Sequence, residues 1–331
     1  TELPGDAPAG ARASLSARIA AIPVLRSDLT LVTLDPSQPG EPFDGVGGNF
    51  RLQFPETDPA VTRYNLENLR VAWGRVEMPW ADWDPDEGSS PLAAARQGRV
   101  ARRVIEAMEM AQVLARKGMP VIVSAWYPPP WARDTNQPAG LRGTALLPQK
   151  MPRILDSLAD YLAFLQERYQ VRSTFVSFNE PDVGVEVRQT PAEHARFVQA
   201  MGETLNRRGL PTRVLLGDTA HGTPKALDYL RPALEDPEVR PHIGAIGFHT
   251  WRGCTPTVLR AWSDAARRLK VPLIVAEGGP DAHLHEYPAV RLEPWFQLQE
   301  AELYVRLCAF AQPTTILHWQ LNTDYSVLRG G

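Results

Sequence analysis

The sequence is poor in the features that would place it in several large protein classes. Only two of its 331 residues are cysteines, Cys254 and Cys308, too few for a disulfide framework or a cysteine-held metal cluster. No apolar run approaches the ~18 residues of a membrane-spanning helix, and residues 1–20 lack the apolar core of a signal peptide. A signal already removed would leave no trace, so a secreted or periplasmic protein is the expectation, with a cytoplasmic one left open. A net charge of −3 gives no electrostatic reason to expect nucleic acid or an anionic membrane as partner. The glycine cluster "GVGG" lacks the full spacing and downstream acid of a dinucleotide loop. No apolar run ends on the Gly-x-Ser-x-Gly turn of a serine hydrolase.

Proline and tryptophan, by contrast, are plentiful at 31 and nine residues. The opening "TELPGDAPAGARAS" reads as a loose tail, and "LTLVTLD" (29–35) as a strand before a turn-rich stretch. Residues 1–40 are accordingly expected to form a tail and side strand, and residues 41–331 the main domain.

In that domain short apolar runs alternate with helical periodicity. The runs are "FDGVGGNF" (43–50), "LRVAWGRVEM" (69–78), "MPVIVSAW" (119–126), "STFVSFNE" (173–180), "TRVLLGD" (212–218), "IGAIGFHTW" (243–251), "VPLIVAEGG" (271–279) and "TTILHWQLN" (314–322). Between them, residues 91–118 predict one long helix with Val100, Val104, Met108, Ala111 and Leu114 on one face and Gly118 as its stop. A second helix places Ile154, Leu158, Tyr161, Leu162 and Leu165 together, and a third starts at Thr190-Pro191 and ends at Gly209. "TPTVLRAWSDAARRLK" and "EPWFQLQEAELYVRLCAFA" predict two more. Unbroken apolar strands separated by helices imply a parallel sheet covered on both faces, and eight such units imply a (β/α)8 barrel. The chain stops at "DYSVLRGG", which leaves no sequence for an ordinary eighth helix.

The active face of such a barrel lies at the C-terminal ends of its strands. There the fourth run ends on Asn179-Glu180 and the seventh on Glu277. The second carries Arg75, the sixth His249 and Trp251, and the eighth His318, Trp319 and Asn322. Glycoside hydrolysis needs two carboxylates, which in the retaining version stand ~5–5.5 Å apart as nucleophile and proton donor. Mutual repulsion would raise the pKa of one, and Arg75 would hold the other ionised. A strand-end acid is also a common helix cap, so the pair says more than either glutamate alone.

Eight tryptophans, all but Trp262, fall on or after strands in this scheme: Trp73, Trp80, Trp83, Trp126, Trp131, Trp251, Trp295 and Trp319. With Tyr127 and Tyr287 they would offer aromatic faces to sugar rings. Trp73 and Trp126, within strands, suit a barrel core equally well.

Asn-Glu-Pro closing the fourth strand and a glutamate closing the seventh resemble clan A of the glycoside hydrolases, retaining enzymes on (β/α)8 barrels. "FDGVGGNF" and "VSAWYPPPW" are similar to the first-strand glycine motif and third-strand Trp-x-Pro-Pro-x-Trp motif of family 30, the latter spanning Trp126 to Trp131 with one additional proline. The resemblance covers roughly residues 43–322. It implies Glu180 as acid/base, Glu277 as nucleophile, Asn179 on the sugar hydroxyl beside the reacting carbon and Arg75 orienting the nucleophile. His249, Trp251 and Trp319 would line the central subsite. Two departures stand out. Family 30 enzymes carry a β-sandwich from both termini, of which only "LTLVTLD" has a counterpart here, and "FHTW" lacks the tyrosine usual nearby.

The expected activity is therefore retaining hydrolysis of a β-linked oligo- or polysaccharide without metal or cofactor. A non-catalytic carbohydrate-binding barrel would keep the aromatics but need no opposed glutamates. A metal-dependent hydrolase could use His283 and His285 with Asp281, but they fall in the loop after the seventh strand and read more plainly as rim residues. "DWDPDEG" (82–88) fails the EF-hand spacing and reads as a solvated acidic loop or a substrate-rim element.

Overall fold

The computed structural model describes residues 37, 40–54, 56–134, 143–183 and 187–322. The chain divides into two units, Thr1–Pro39 and Gly40–Gly331, and the fold below is that of the second. "LTLVTLD" and "DYSVLRGG" lie outside the described residues.

Eight parallel strands close into a barrel in chain order. They are β1 (Gly45–Phe50), β2 (Gly74–Pro79), β3 (Val121–Trp126), β4 (Phe175–Phe178), β5 (Arg213–Thr219), β6 (Ile243–His249), β7 (Leu273–Gly278) and β8 (Thr315–His318). β8 returns to β1 with Gly45 opposite Thr315 and Gly48 opposite His318, which seals the sheet. Each predicted run thus contains one strand, but the second starts late: Leu69–Trp73 precede β2. The fold is the (β/α)8 barrel expected from the pattern.

Among the described residues seven main helices cover the barrel: α1 (Asp58–Asn68), α2 (Pro91–Arg96), α3 (Arg102–Arg116), α4 (Met151–Tyr169), α5 (Pro191–Arg207), α6 (Pro256–Leu269) and α7 (Pro294–Arg306). The long helix expected over 91–118 is two, α2 and α3. Gly98, at φ +79°, takes a left-handed conformation that ends the first helix, and Val100 falls in the break. Elsewhere local chemistry sets the ends as expected. Thr190 Oγ1 accepts from the Glu193 amide at 3.3 Å while Glu193 Oε2 accepts from the Thr190 amide at 2.7 Å, a reciprocal cap at the start of α5. Ile154, Leu158, Tyr161, Leu162 and Leu165 are all buried along α4.

Two apolar layers hold the barrel. The larger lies between strands and helices, and fully buried Trp80, Tyr161 and Trp262 belong to it. The smaller plugs the barrel from below with Trp73, Ile122, Phe175, Leu215, Ile274 and Leu317. Trp73 and Phe175 stack there at 5.9 Å between ring centres, and the Trp73 indole donates to Asp44 Oδ2 at 2.8 Å. The first-strand glycines make room for this plug. A Cβ on Gly47 would stand 2.5 Å from the Trp73 carbonyl oxygen and from Leu317 Cδ2, closer than real contacts allow.

Candidate active site

Above the plug the strand ends turn polar. Arg75, from β2, is buried and aims its guanidinium along the barrel axis. Nη1 donates to Asn49 Oδ1 at 2.9 Å and to Glu277 Oε1 at 2.7 Å. Nη2 donates to Ser124 Oγ at 2.9 Å, Asn179 Oδ1 at 2.7 Å and Asp218 Oδ2 at 2.9 Å. One planar cation thus ties together the ends of β1, β3, β4, β5 and β7. Burial works against its charge, and Asp218 and Glu277 more than offset that, holding its pKa above the ordinary arginine value.

His249, at the end of β6, is buried beside the same carboxylates. Nε2 faces Asp218 Oδ1 at 2.9 Å, while Nδ1 lies 3.2 Å from Glu180 Oε1 and 3.1 Å from Glu277 Oε2. Burial would neutralise it, but Glu277, Asp218 and Glu180 raise its pKa well above the ordinary value. Asp218 moves the other way. Burial pushes its carboxyl up, but Arg75, His249 and the Ser177 hydroxyl, which donates at 2.6 Å, hold it far below the usual range.

Glu180 differs from both other carboxylates. Arg75 makes no contact with it, and its backbone turns left-handed at φ +48°, its amide donating to the Asp218 carbonyl at 3.0 Å. Burial is the largest cause of its raised pKa; His249 opposes it, and Glu277 and Asp182 add to it. The mutual repulsion expected between the two glutamates is present but secondary to desolvation. An oxygen of Glu180, a ring nitrogen of His249 and an oxygen of Glu277 lie within 4.8 Å of one another.

This cluster floors an open cleft of about 830 Å³. Trp126, Tyr127, Trp319, Arg51 and Gln53 form one side; Val183, His221, Trp251 and Arg252 belong to the other. Trp319 stacks on Trp126 at 5.9 Å and meets Trp251 edge-on at 6.4 Å. The Trp251 indole donates to Glu277 Oε2 at 3.2 Å. Arg51 lies 4.5 Å over the Trp126 ring, so Trp126, only 6% exposed, mainly supports the floor.

Of the residues expected at the site, the structure brings together Arg75, Trp126, Asn179, Glu180, His249, Trp251, Glu277 and Trp319. It does not bring Trp131 in. That side chain follows β3 but turns sideways, its indole donating to the Asp84 carbonyl at 2.9 Å and its ring edge against Trp80. Tyr287 is 42% exposed and bonds to Asp281, itself on the rim, rather than lining the cleft. The broader aromatic expectation contracts with them. Trp73 lies in the lower plug, Trp80 and Trp83 donate to Ser157 of α4, and Trp295 is exposed on α7. His318 turns outward to Tyr304 and Glu300 at 3.0 and 3.2 Å. His283 and His285 do reach the rim of the cleft. The "DWDPDEG" loop is ion-paired rather than merely solvated: Asp84 is buried against Arg153 at 2.7 Å, and Glu87 meets Lys150.

Asp218 is not among the residues expected at the site, although "RVLLGD" ends on an acid as "VSFNE" does and carries the same strand-end signal. His221, Arg252 and Arg51 carried no comparable signal.

A closed parallel barrel with glutamates ending β4 and β7 has the fold of clan A of the glycoside hydrolases, and its similarity is to family 30. No family model and no curated protein sequence matches the chain. Among solved structures it is similar to a family 30 endoxylanase from Clostridium papyrosolvens C71, at 16% identity and a TM-score of 0.66, covering 87% of this chain and 69% of that one. A family 30 subfamily 8 xylanase from Clostridium acetobutylicum gives 16% and 0.65, covering 89% and 69%. A β-glycosidase from Thermosphaera aggregans gives 14% and 0.50, covering 80% and 77%. At these identities the likeness is one of fold.

Proposed function

We propose that the protein is a retaining glycoside hydrolase acting on a β-linked oligo- or polysaccharide. The observation that carries this is the glutamate pair, with oxygens within 4.8 Å and opposite surroundings. Glu277 is held by Arg75, His249 and Trp251, which stabilise a carboxylate. Glu180, desolvated and untouched by Arg75, keeps its proton more readily. This contrast supports Glu277 as nucleophile and Glu180 as acid.

In the first step Glu277 attacks the anomeric carbon as the Glu180 proton passes to the glycosidic oxygen and the C–O bond breaks. Glu180, now a carboxylate beside the His249 N–H, takes a proton from water, which attacks the anomeric carbon and releases Glu277. Asn179 Oδ1 is spent on Arg75 while its buried Nδ2 has no hydrogen-bond partner among the described residues, which suits donation to a sugar hydroxyl. Trp319 and Trp251 would flank the ring. The cleft's openness suits a chain substrate, and a secreted or periplasmic setting fits such a substrate.

Aryl β-glycosides and β-linked polysaccharides, with the product anomer followed by NMR, test the reading. The first-formed product should keep the β configuration, and an inverted one would sink it. The same three donors, Glu180, His249 and Glu277, could also hold a divalent ion. Activity lost on chelation and restored by zinc would favour that second reading; activity indifferent to chelator favours the first.

A further inference from the structure

The cleft side nearest Glu180 holds a feature the hydrolytic chemistry does not use. The loops after β5 and β6 are joined by an isolated parallel bridge between Gly222 and Gly253. The Gly222 amide donates to the Arg252 carbonyl at 3.0 Å, and the Cys254 amide donates to the Gly222 carbonyl at 3.0 Å. The strands run so close that a Cβ on Gly253 would sit 2.5 Å from the Gly222 oxygen. Cys254 is buried beneath, and a Cβ on Gly222 would stand 2.8 Å from its sulfur.

This clamp fixes the two residues that precede its glycines, His221 and Arg252, both of which line the cleft. The His221 Nδ1 is 2.8 Å from the Ala220 carbonyl oxygen, which assigns its proton there and leaves Nε2 for another partner. Arg252 is exposed, and its guanidinium has no ion pair or hydrogen bond among the described residues. Every other arginine at this site is committed: Arg75 to Asp218 and Glu277, Arg51 to Glu77 at 2.6 Å. The bridged loops present an unmatched planar fork to the same cleft that Glu180 lines.

We propose that His221 and Arg252 form a leaving-group subsite for an oxyanion, a sugar unit or aglycone bearing a carboxylate or sulfate on the departing side of the bond. The assignment of that side rests on Glu180 being the proton donor, since the departing oxygen must lie next to it. Asp182, two residues beyond Glu180, accepts from the Ala220 amide at 2.8 Å, which ties the loop after β4 to the residue before His221. Arg252 would take two oxygens of the anion through parallel N–H donors, a geometry lysine cannot reproduce.

Calorimetric titration of the full chain with sodium glucuronate and galacturonate, against glucose and galactose, tests this directly. The uronates should bind about tenfold tighter than the neutral sugars. That preference should vanish in R252Q, survive only in part in R252K, and shrink with added salt. Sodium sulfate in place of the sugars tells the sources apart. Sulfate binding at the same Arg252-dependent site extends the subsite to sulfate esters; uronate binding alone confines it to carboxylates. Equal binding of acid and neutral sugars, no binding of either, or an acid preference untouched by R252Q overturns the proposal. If uronates bind as expected but no glycoside is cleaved, the hydrolase reading falls and the anion site stands. If glycosides are cleaved without any acid preference, the reverse holds.

Discussion

The two ends of the barrel interior solve opposite problems with the same eight strands. At the lower end Trp73, Phe175 and their neighbours fill space with apolar surface, and the Trp73 indole is satisfied by Asp44. At the upper end Arg75, His249 and two carboxylates are buried with Glu180 among them, so charges must balance where volumes balance below. Arg75 and His249 face Asp218 and Glu277 there, while Glu180, which Arg75 does not touch, has its pKa raised chiefly by burial. The lower end should therefore be judged by stability and the upper end by chemistry.

The sharpest separation comes from E277Q. Hydrolysis should fall on the order of 10⁴-fold as the proposed nucleophile is removed, far beyond what the accompanying loss of stability, from the anion that Arg75 and His249 give up, accounts for per folded molecule. A loss of only a fewfold would remove Glu277 from its role. Phe175→Ala should do the converse. Emptying the plug beneath Trp73 should lower stability by about 3–5 kcal/mol in denaturant titrations, while kcat per folded molecule changes little.

Asp218→Asn tests whether the upper end is one network. Rate should drop about 10²–10³-fold although the residue cannot reach the substrate's reacting carbon through its buried contacts. The His249 imidazole, followed by NMR, should titrate at lower pH than in the parent. In the folded parent the Asp218 carboxyl is depressed, so its stabilisation is present above the unfolded value of about 3.9 and fades as pH falls below it. The stability gap between parent and D218N should close in that acid range.

The smallest effect has the least obvious sign. Glu180 has a raised folded pKa, so it contributes a destabilisation that appears as pH rises from about 4.3 through that value. E180Q should therefore melt roughly 2 °C above the parent at neutral pH and level with it below pH ~4. Its rate profile should also lose the alkaline limb that Glu180 imposes.

Much of the upper end was legible because parallel strands buried on both faces read as plain apolar runs, and a run that stops on a carboxylate is conspicuous. That served for Glu180 and Glu277. Asp218 had the same signature, yet its meaning depends on Arg75, 143 residues away, and on His249, which sequence does not place beside it. The aromatics were harder for a geometric reason. Position after a strand names the loop but not the direction of the side chain, and Trp80, Trp83 and Trp131 all turn toward α4 or the buried surface near Asp84. The split between α2 and α3 hinged on one glycine inside a pattern that was otherwise helical.

The bond from the Trp251 indole to Glu277 Oε2 has an optical consequence. Under the proposed double displacement Glu277 would become an ester and lose the negative charge facing that indole. Emission from Trp251 should then change with each covalent cycle, a built-in lamp that needs no label and no chromogenic sugar.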